Sequence, residues 1–245
     1  MKKAVLLLLV LALSKNVFAL DIPLSVGAGG LLGYTFTRYT LEGKNPDGGN
    51  AESSQSMDRI DYGGFLFFDA KYAVLSVILQ GGNSRYSENM IFESETAADT
   101  TGTGSELSLG FSLMGKYPFT INERVTWFPM LGVEYQIALV QKRKQDGIEY
   151  NRTDGHLVED RDKNDEPYPL SAWNSWWINV GAGLDYDLTE SLFLRSELFF
   201  GFRLPTAYEM GALEVVKNPP MNVKNPSLGG LTGSPTMKIS IGYRF

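Results

Sequence analysis

Few residues of this sequence could take part in covalent chemistry. Its single histidine, His156, lies in the stretch "TDGHLVED", with Asp154 two positions before it. A carboxylate beside an imidazole can orient a general base, which a hydrolase or an acyltransferase would need. The surrounding sequence offers neither a nucleophile nor convergent acids. We therefore expect a solvated loop histidine and no enzymatic activity, with an outer-membrane hydrolase or acyltransferase kept as an alternative that would have to use His156.

A second stretch, "DRDKND", spaces oxygen ligands as in the first half of a calcium loop, with Asp160, Asp162 and Asn164 at alternate positions. Asp165 stands where such a loop needs a glycine, and Ser171 stands where a glutamate should close it. A solvated run of charges explains the pattern better. With no cysteine in the chain and no nucleotide-binding glycine motif, we expect no metal and no cofactor.

Charged side chains also occur in the middle of alternating apolar segments, each opposite an unbroken apolar row: Lys116, Glu134, Arg195, Glu197 and Arg203. A soluble protein would place these charges in water, whereas a membrane barrel would point them into its lumen. A buried charge needs a partner, so a network of ion pairs is one interpretation. A gate or selectivity element for a solute is the other.

The segments that carry these charges alternate with a period of two, which is typical of strands that span a membrane in a β-barrel. Eight such segments occur, from "LSVGAGGLLGYTF" to "MKISIGYRF". We predict an all-β fold, an eight-stranded antiparallel transmembrane barrel with an up-and-down meander. Two places are less regular: Tyr72–Gln80 is apolar on both faces, and Pro129 predicts a bulge because proline cannot donate a ladder hydrogen bond.

The predicted connections alternate between short and long. Short turns fall near Asp69, Thr120 and Leu188, and long polar loops are predicted at Glu42–Asp58, Arg85–Thr103, Lys142–Ser171 and Pro205–Pro235. Aromatic residues gather near the ends of the strands. Outer-membrane barrels have short periplasmic turns, long extracellular loops and aromatic residues at both interfaces. We therefore expect both ends of the barrel segment to lie in the periplasm.

The first residues predict export. Lys2 and Lys3 precede the apolar run "AVLLLLVLAL", and "VFA" offers small residues for cleavage after Ala19. The run is too short to span a bilayer as a helix. We predict a signal peptide at 1–19 and an outer-membrane β-barrel at 20–245. Acidic residues outnumber basic ones by 28 to 22, which argues against a nucleic-acid partner.

Many residues predicted to face the lumen are glycines, among them Gly27, Gly183 and Gly242, and others are large, such as Phe67 and Phe128. Packing of small residues against large ones explains this composition. The alternative is that the missing side chains leave a narrow pocket or path for a small solute.

The last strand ends on an aromatic residue. Ile239, Ile241, Tyr243 and Phe245 occupy every second position of "MKISIGYRF", which we expect to close the barrel against the strand at Leu24–Phe36. The chain resembles the small outer-membrane barrels of the OmpW, OmpX and OmpA-transmembrane type, in its architecture, in this ending and in "NVGAGLDYDLTESLFLRSELFFGFR". The resemblance implies that these four residues are the signal read by the barrel-assembly machinery, and that the protein is exported and inserted into outer-membrane lipid.

The function that this resemblance implies is a narrow channel or binding pocket for a small, amphipathic solute. The alternative is a non-transporting surface barrel that acts as an adhesin or a structural protein through its extracellular loops, with a host surface ligand as partner. Long loops on a rigid scaffold are where binding residues concentrate.

Overall fold

A computed structural model describes residues 23–44, 50–92, 95–145, 148–152, 170–206 and 224–245. Ten strands occur in these ranges, together with one 3-10 helical turn at Leu170–Trp173. The strands are β1 (Leu24–Lys44), β2 (Asn50–Ala70), β3 (Ala73–Phe92), β4 (Glu95–Lys116), β5 (Phe119–Asn122), β6 (Val125–Gln145), β7 (Ile148–Arg152), β8 (Ser175–Asp187), β9 (Leu192–Arg203) and β10 (Lys224–Arg244). No helix in these ranges is long and apolar enough to cross a membrane.

Eight of the strands form a closed antiparallel ring, which confirms the predicted fold class. Consecutive barrel strands pair with each other, β4 pairs with β6, and β1 closes the ring against β10. In that last pair Gly27 lies opposite Gly242 and Leu32 lies opposite Met237. The predicted pairing of the ends is therefore present. The short strands β5 and β7 pair antiparallel with the two ends of β6 and are not among the eight strands of the ring.

The outer surface carries a continuous band of exposed apolar side chains, which we call the apolar belt. Its members include Val26, Leu32, Ile60, Leu66, Leu75, Leu79, Phe111, Leu113, Leu131, Val133, Ile178, Leu184, Leu194, Leu198, Met237, Ile239 and Ile241. Several are more than half exposed: Leu131 is 62% exposed, Leu66 64% and Leu198 63%. A closed sheet pairs the backbone N–H and C=O groups of its strands with one another, as a structure that spans lipid must, and an apolar outer face suits contact with lipid.

The short turns lie at one end of the ring, beside Leu24 and Arg244, and the long connections lie at the other end. By the rule for outer-membrane barrels, the end with the short turns is periplasmic. The closed ring and its apolar belt show an integral membrane β-barrel. The predicted signal peptide lies outside the described residues.

The strands are longer than the sequence pattern predicts, and all four predicted loops are wrong in their bounds. The predicted loop Lys142–Ser171 contains the end of β6 and all of β7, and Pro205–Pro235 contains the first half of β10. Most of Glu42–Asp58 is paired strand, because β1 continues to Lys44 and β2 begins at Asn50. Most of Arg85–Thr103 is paired strand as well, because β3 continues to Phe92 and β4 begins at Glu95. The sequence there is mostly polar and does not alternate, so the period of two does not mark it as strand. These parts of β1–β4, with the end of β6, form what we call the extracellular wall.

The predicted bulge at Pro129 is also wrong. Pro129 lies opposite Ala182 in the regular register of β6 with β8. Its carbonyl accepts the N–H of Tyr117 at 3.3 Å, so its ring nitrogen points to the first residue beyond the end of β4. β4 has already ended there, so the ladder does not need an N–H from Pro129. The irregularity in β6 falls instead at Leu139, between Ala138 and Val140 in the pairing with β4.

The orientation of the strand that is apolar on both faces is clear in the structure. Val74 and Ile78 are 2% and 1% exposed in the lumen, whereas Leu75, Val77 and Leu79 belong to the belt.

Candidate functional site

The lumen is filled by aromatic rings packed against glycines. A methyl group built on Gly27 would clash with the Phe67 ring, one on Gly183 with Phe128, and one on Gly242 with Phe193. These rings come from β2, β6 and β9 and are almost fully buried. The glycines therefore make room for rings from neighbouring strands and leave no path beside them.

One layer of side chains crosses the lumen near its periplasmic end, and we call it the lumen layer. Its members are Phe67, Asp69, Lys116, Phe128, Asp185, Phe193 and Arg195. They come from β2, β4, β6, β8 and β9, which are strands on different sides of the ring. The layer therefore connects opposite walls of the barrel.

Arg195 is the centre of the lumen layer. Its Nε donates to Asp185 Oδ1 at 2.7 Å, and its Nη2 donates to Asp185 Oδ2 at 2.8 Å and to Asp69 Oδ2 at 2.5 Å. The Lys116 ammonium group reaches the same Asp69 oxygen at 2.5 Å. Two cations and two carboxylates thus balance in charge, as buried ions must.

The aromatic rings of the layer surround the Arg195 guanidinium. Its carbon lies 4.8 Å from the centroid of Phe67 and 5.1 Å from those of Phe128 and Phe193. Such distances allow cation–π attraction. They also show that the guanidinium is enclosed by rings on several sides, so the charge lies inside a packed layer and not on the wall of an open pore.

Water cannot pass through this layer in the structure. Side chains that line a water-filled channel are accessible to a water-sized probe, yet Arg195 is only 1% exposed and both Phe128 and Phe193 are 0% exposed. Above the layer, a cavity of about 30 Å³ lies among Thr35, Asp61, Glu134 and their neighbours. That space holds one or two water molecules. Below it, a cavity of about 120 Å³ faces the periplasm beside Arg244.

The other predicted lumen charges lie above the lumen layer. Glu134 is 5% exposed and accepts hydrogen bonds from Gln136 at 2.7 Å and from Asn179 at 3.4 Å. Glu197 lies opposite Lys238 in the pairing of β9 with β10. Arg203 lies higher, where its Nη2 donates to Thr232 at 3.3 Å. The structure thus joins Lys116 and Arg195 through Asp69 and places the other three in separate positions.

Sequence reasoning missed the acids that hold these cations. Asp185 alternates with Leu184 and Tyr186, so extending the period of two along β8 would have found it. Asp69 lies near the end of β2, where the sequence pattern predicts a turn. Sequence reasoning also missed a further buried triad, in which Arg59 pairs with Asp61 at 2.7 Å and with Glu106 at 2.6 Å.

The other candidates for chemistry, His156 with Asp154 and the stretch with Asp160, Asp162 and Asn164, lie outside the described residues. Within the ranges that the structure describes, no group of three or more His, Asp or Glu side chains is placed to hold a metal ion. The residues predicted as an assembly signal face lipid: Ile239, Ile241 and Tyr243 are 47%, 51% and 46% exposed, and Phe245 is 75% exposed. Their role in assembly stays a prediction.

Solved outer-membrane barrels resemble this structure along nearly its whole length. OprG from Pseudomonas aeruginosa is 13% identical, covering 91% of this chain and 96% of its own, with a TM-score of 0.38. Neisserial surface protein A is 14% identical, covering 89% and 99%, with a TM-score of 0.30. The outer membrane protease OmpT from Escherichia coli is 10% identical, covering 92% and 97%, with a TM-score of 0.33. No protein-family model matches the chain. No curated protein matches it either.

Proposed function

We propose that this protein is a sealed outer-membrane barrel that acts through the surface it presents outside the cell, as an adhesin or a structural protein. The observation that supports this proposal is the lumen layer, in which the buried Arg195 is fixed between Asp69 and Asp185. A narrow channel would need a hydrated path through the same place. The two cavities that the described residues line above the layer, of about 30 and 50 Å³, are too small for an amphipathic solute.

The extracellular wall supplies the surface. Because β1–β4 are paired well beyond the apolar belt, the wall is held by a continuous ladder of backbone hydrogen bonds. A rigid scaffold of this kind lowers the entropy cost of binding a large partner.

The wall can be shortened without disturbing the barrel. Tyr39 lies directly opposite Gln55 in the register of β1 with β2, and Ser87 lies opposite Thr101 in that of β3 with β4. Two-residue Asn-Gly turns can therefore replace residues 40–54 and 88–100 and still connect paired strands.

Attachment of bacteria tests the proposal. We would compare cells that display the full-length protein, the variant with both hairpins shortened, or no protein, on immobilised fibronectin, laminin and heparin. We expect attachment to fall to the level of cells without the protein when both hairpins of the wall are shortened. If cells with equal surface amounts of the full-length and shortened proteins attach equally, the wall does not mediate attachment.

A further inference from the structure

At the extracellular edge of the belt, basic side chains replace apolar ones on the outer surface within a few residues along the strands. Three consecutive outward rows follow the register across β1, β2, β3, β4 and β6. The lowest row is Leu32, Tyr62, Gly81, Leu107 and Val140; the next is Tyr34, Ile60, Asn83, Ser105 and Lys142; the highest is Phe36, Asp58, Arg85, Thr103 and Lys144. The first cation, Lys142, thus lies in the same row as Ile60 of the belt, and Arg85 and Lys144 lie in the row above.

A groove of about 980 Å³ lies on this surface, which is at the upper end of the usual range for ligand sites. Its floor is made of small or short polar residues, Asn83, Thr103 and Ser105, and Arg85 and Lys142 stand beside them. Long side chains flanking a floor of short ones create a depression on a barrel wall that would otherwise be convex.

The one acidic residue of these rows is already engaged. Asp58 accepts hydrogen bonds from Tyr34 at 2.7 Å and from Arg38 at 2.7 Å. The hydrogen bond from Tyr34, with a smaller contribution from Arg38, holds the pKa of Asp58 below its usual value, so Asp58 stays ionised and paired. Within the described residues, Arg85 and Lys142 have no carboxylate within ion-pair distance.

We propose that this groove binds the phosphate groups of a lipid in the outer leaflet of the membrane. The groove lies directly above a lipid-facing row, at the height of lipid headgroups, and it concentrates positive charge on a chain whose acidic residues exceed its basic ones by 28 to 22. Apolar side chains such as Leu107 and Val140 lie immediately below for the acyl chains of the same molecule. A free anion would use only the cations, whereas a phospholipid or glycolipid uses both.

Lipid binding by the purified full-length protein tests this site. Native mass spectrometry would measure the affinity for diphosphoryl lipid A and for the same lipid with both phosphates removed. We expect preference for the phosphorylated form, and about 30-fold weaker binding of that form by the Arg85→Gln/Lys142→Gln variant, because each basic group at an anionic lipid surface contributes about fivefold. The charge-keeping variant Arg85→Lys/Lys142→Arg should bind like the wild type.

The matched control is Lys71→Gln/Arg124→Gln, which removes the same charge at the periplasmic turns. We expect this control to bind diphosphoryl lipid A normally. An equal loss of affinity for diphosphoryl lipid A in both glutamine variants, or no loss in either, would show that the groove is not the binding site. Equal binding of the phosphorylated and dephosphorylated lipids would overturn its chemistry. If an equal concentration of inorganic phosphate displaces the lipid, the groove binds free phosphate and not a lipid headgroup.

Discussion

At the scale of single residues, the lumen depends on which glycines face aromatic rings. Gly27 and Gly30 are close in β1 but differ in what a methyl group would meet. On Gly27 it would overlap the Phe67 ring and the Ile241 carbonyl, whereas on Gly30 its nearest neighbour is the Gly63 carbonyl oxygen at 3.7 Å. The absence of a side chain is thus required at the first position and not at the second.

We expect Gly27→Ala to lower the free energy of unfolding by about 1–3 kcal/mol, because the extra methyl overpacks the lumen. Gly30→Ala is its matched control and should be neutral or stabilising by about 0.5 kcal/mol, since it only restricts the unfolded chain. Urea titration of folding into lipid vesicles measures both. Equal effects of the two substitutions would show that Gly27 does not make room for Phe67.

Arg195 is the residue on which the lumen layer depends most. Arg195→Met removes the shared cation and leaves Asp185 with only the 3.7 Å contact to Arg244. We expect a loss of about 3–5 kcal/mol in the free energy of unfolding, which is the usual cost of an uncompensated buried charge.

The control for this change is Ser196→Ala, since Ser196 is the next residue of β9 and faces outward. A small and equal effect of both substitutions in the same urea titration would contradict the role given to Arg195.

The charged residues of the lumen could be predicted only in part from the sequence. Lys116 and Arg195 stand out because each lies opposite an unbroken apolar row. Asp69 does not, because it lies at the end of β2, where the alternation is about to stop. Pairing between strands that are distant in sequence, such as Asp69 with Arg195, leaves no local pattern, so the sequence shows the charges but not their partners.

At the scale of the elements, alternation predicted the membrane-spanning parts of the barrel strands except that of β3, where 72–80 is apolar on both faces. It failed above the belt, where the sequence is mostly polar and shows no period of two. The extracellular wall was therefore assigned to loops, although β2 and β3 remain paired from Ala51 with Phe92 down to Ala70 with Ala73.

The belt and the wall should respond differently to a charge on the outer face. Leu198 lies in the middle of the belt and is 63% exposed. We expect Leu198→Arg to destabilise the folded barrel by about 2–4 kcal/mol, as a cation does near the middle of the bilayer. Ser87→Arg, on the outward face of the wall, should change stability by less than about 0.5 kcal/mol.

Folding into vesicles under urea gives both values. A small effect at Leu198 would contradict the position of the belt, and a large effect at Ser87 would contradict the assignment of the wall to water.

At the scale of the whole molecule, the ring of strands and the contents of its lumen have different sequence signals. Closure could be predicted, because eight alternating segments and short turns at one end suffice for an up-and-down barrel. Whether the lumen is open could not, because glycines opposite aromatic residues are compatible with a filled core and with a path. The structure decides between these by placing Phe67, Phe128 and Phe193 over the glycines.

Single-channel recording in planar lipid bilayers tests most directly whether the barrel is sealed. We predict no current steps from the wild-type protein at either polarity, because the lumen layer leaves no hydrated path. The Phe128→Ala/Arg195→Ala variant, which removes two members of that layer, should give measurable steps and show that inserted protein can be detected. Regular current steps from the wild-type barrel, with the insertion confirmed, would contradict the account.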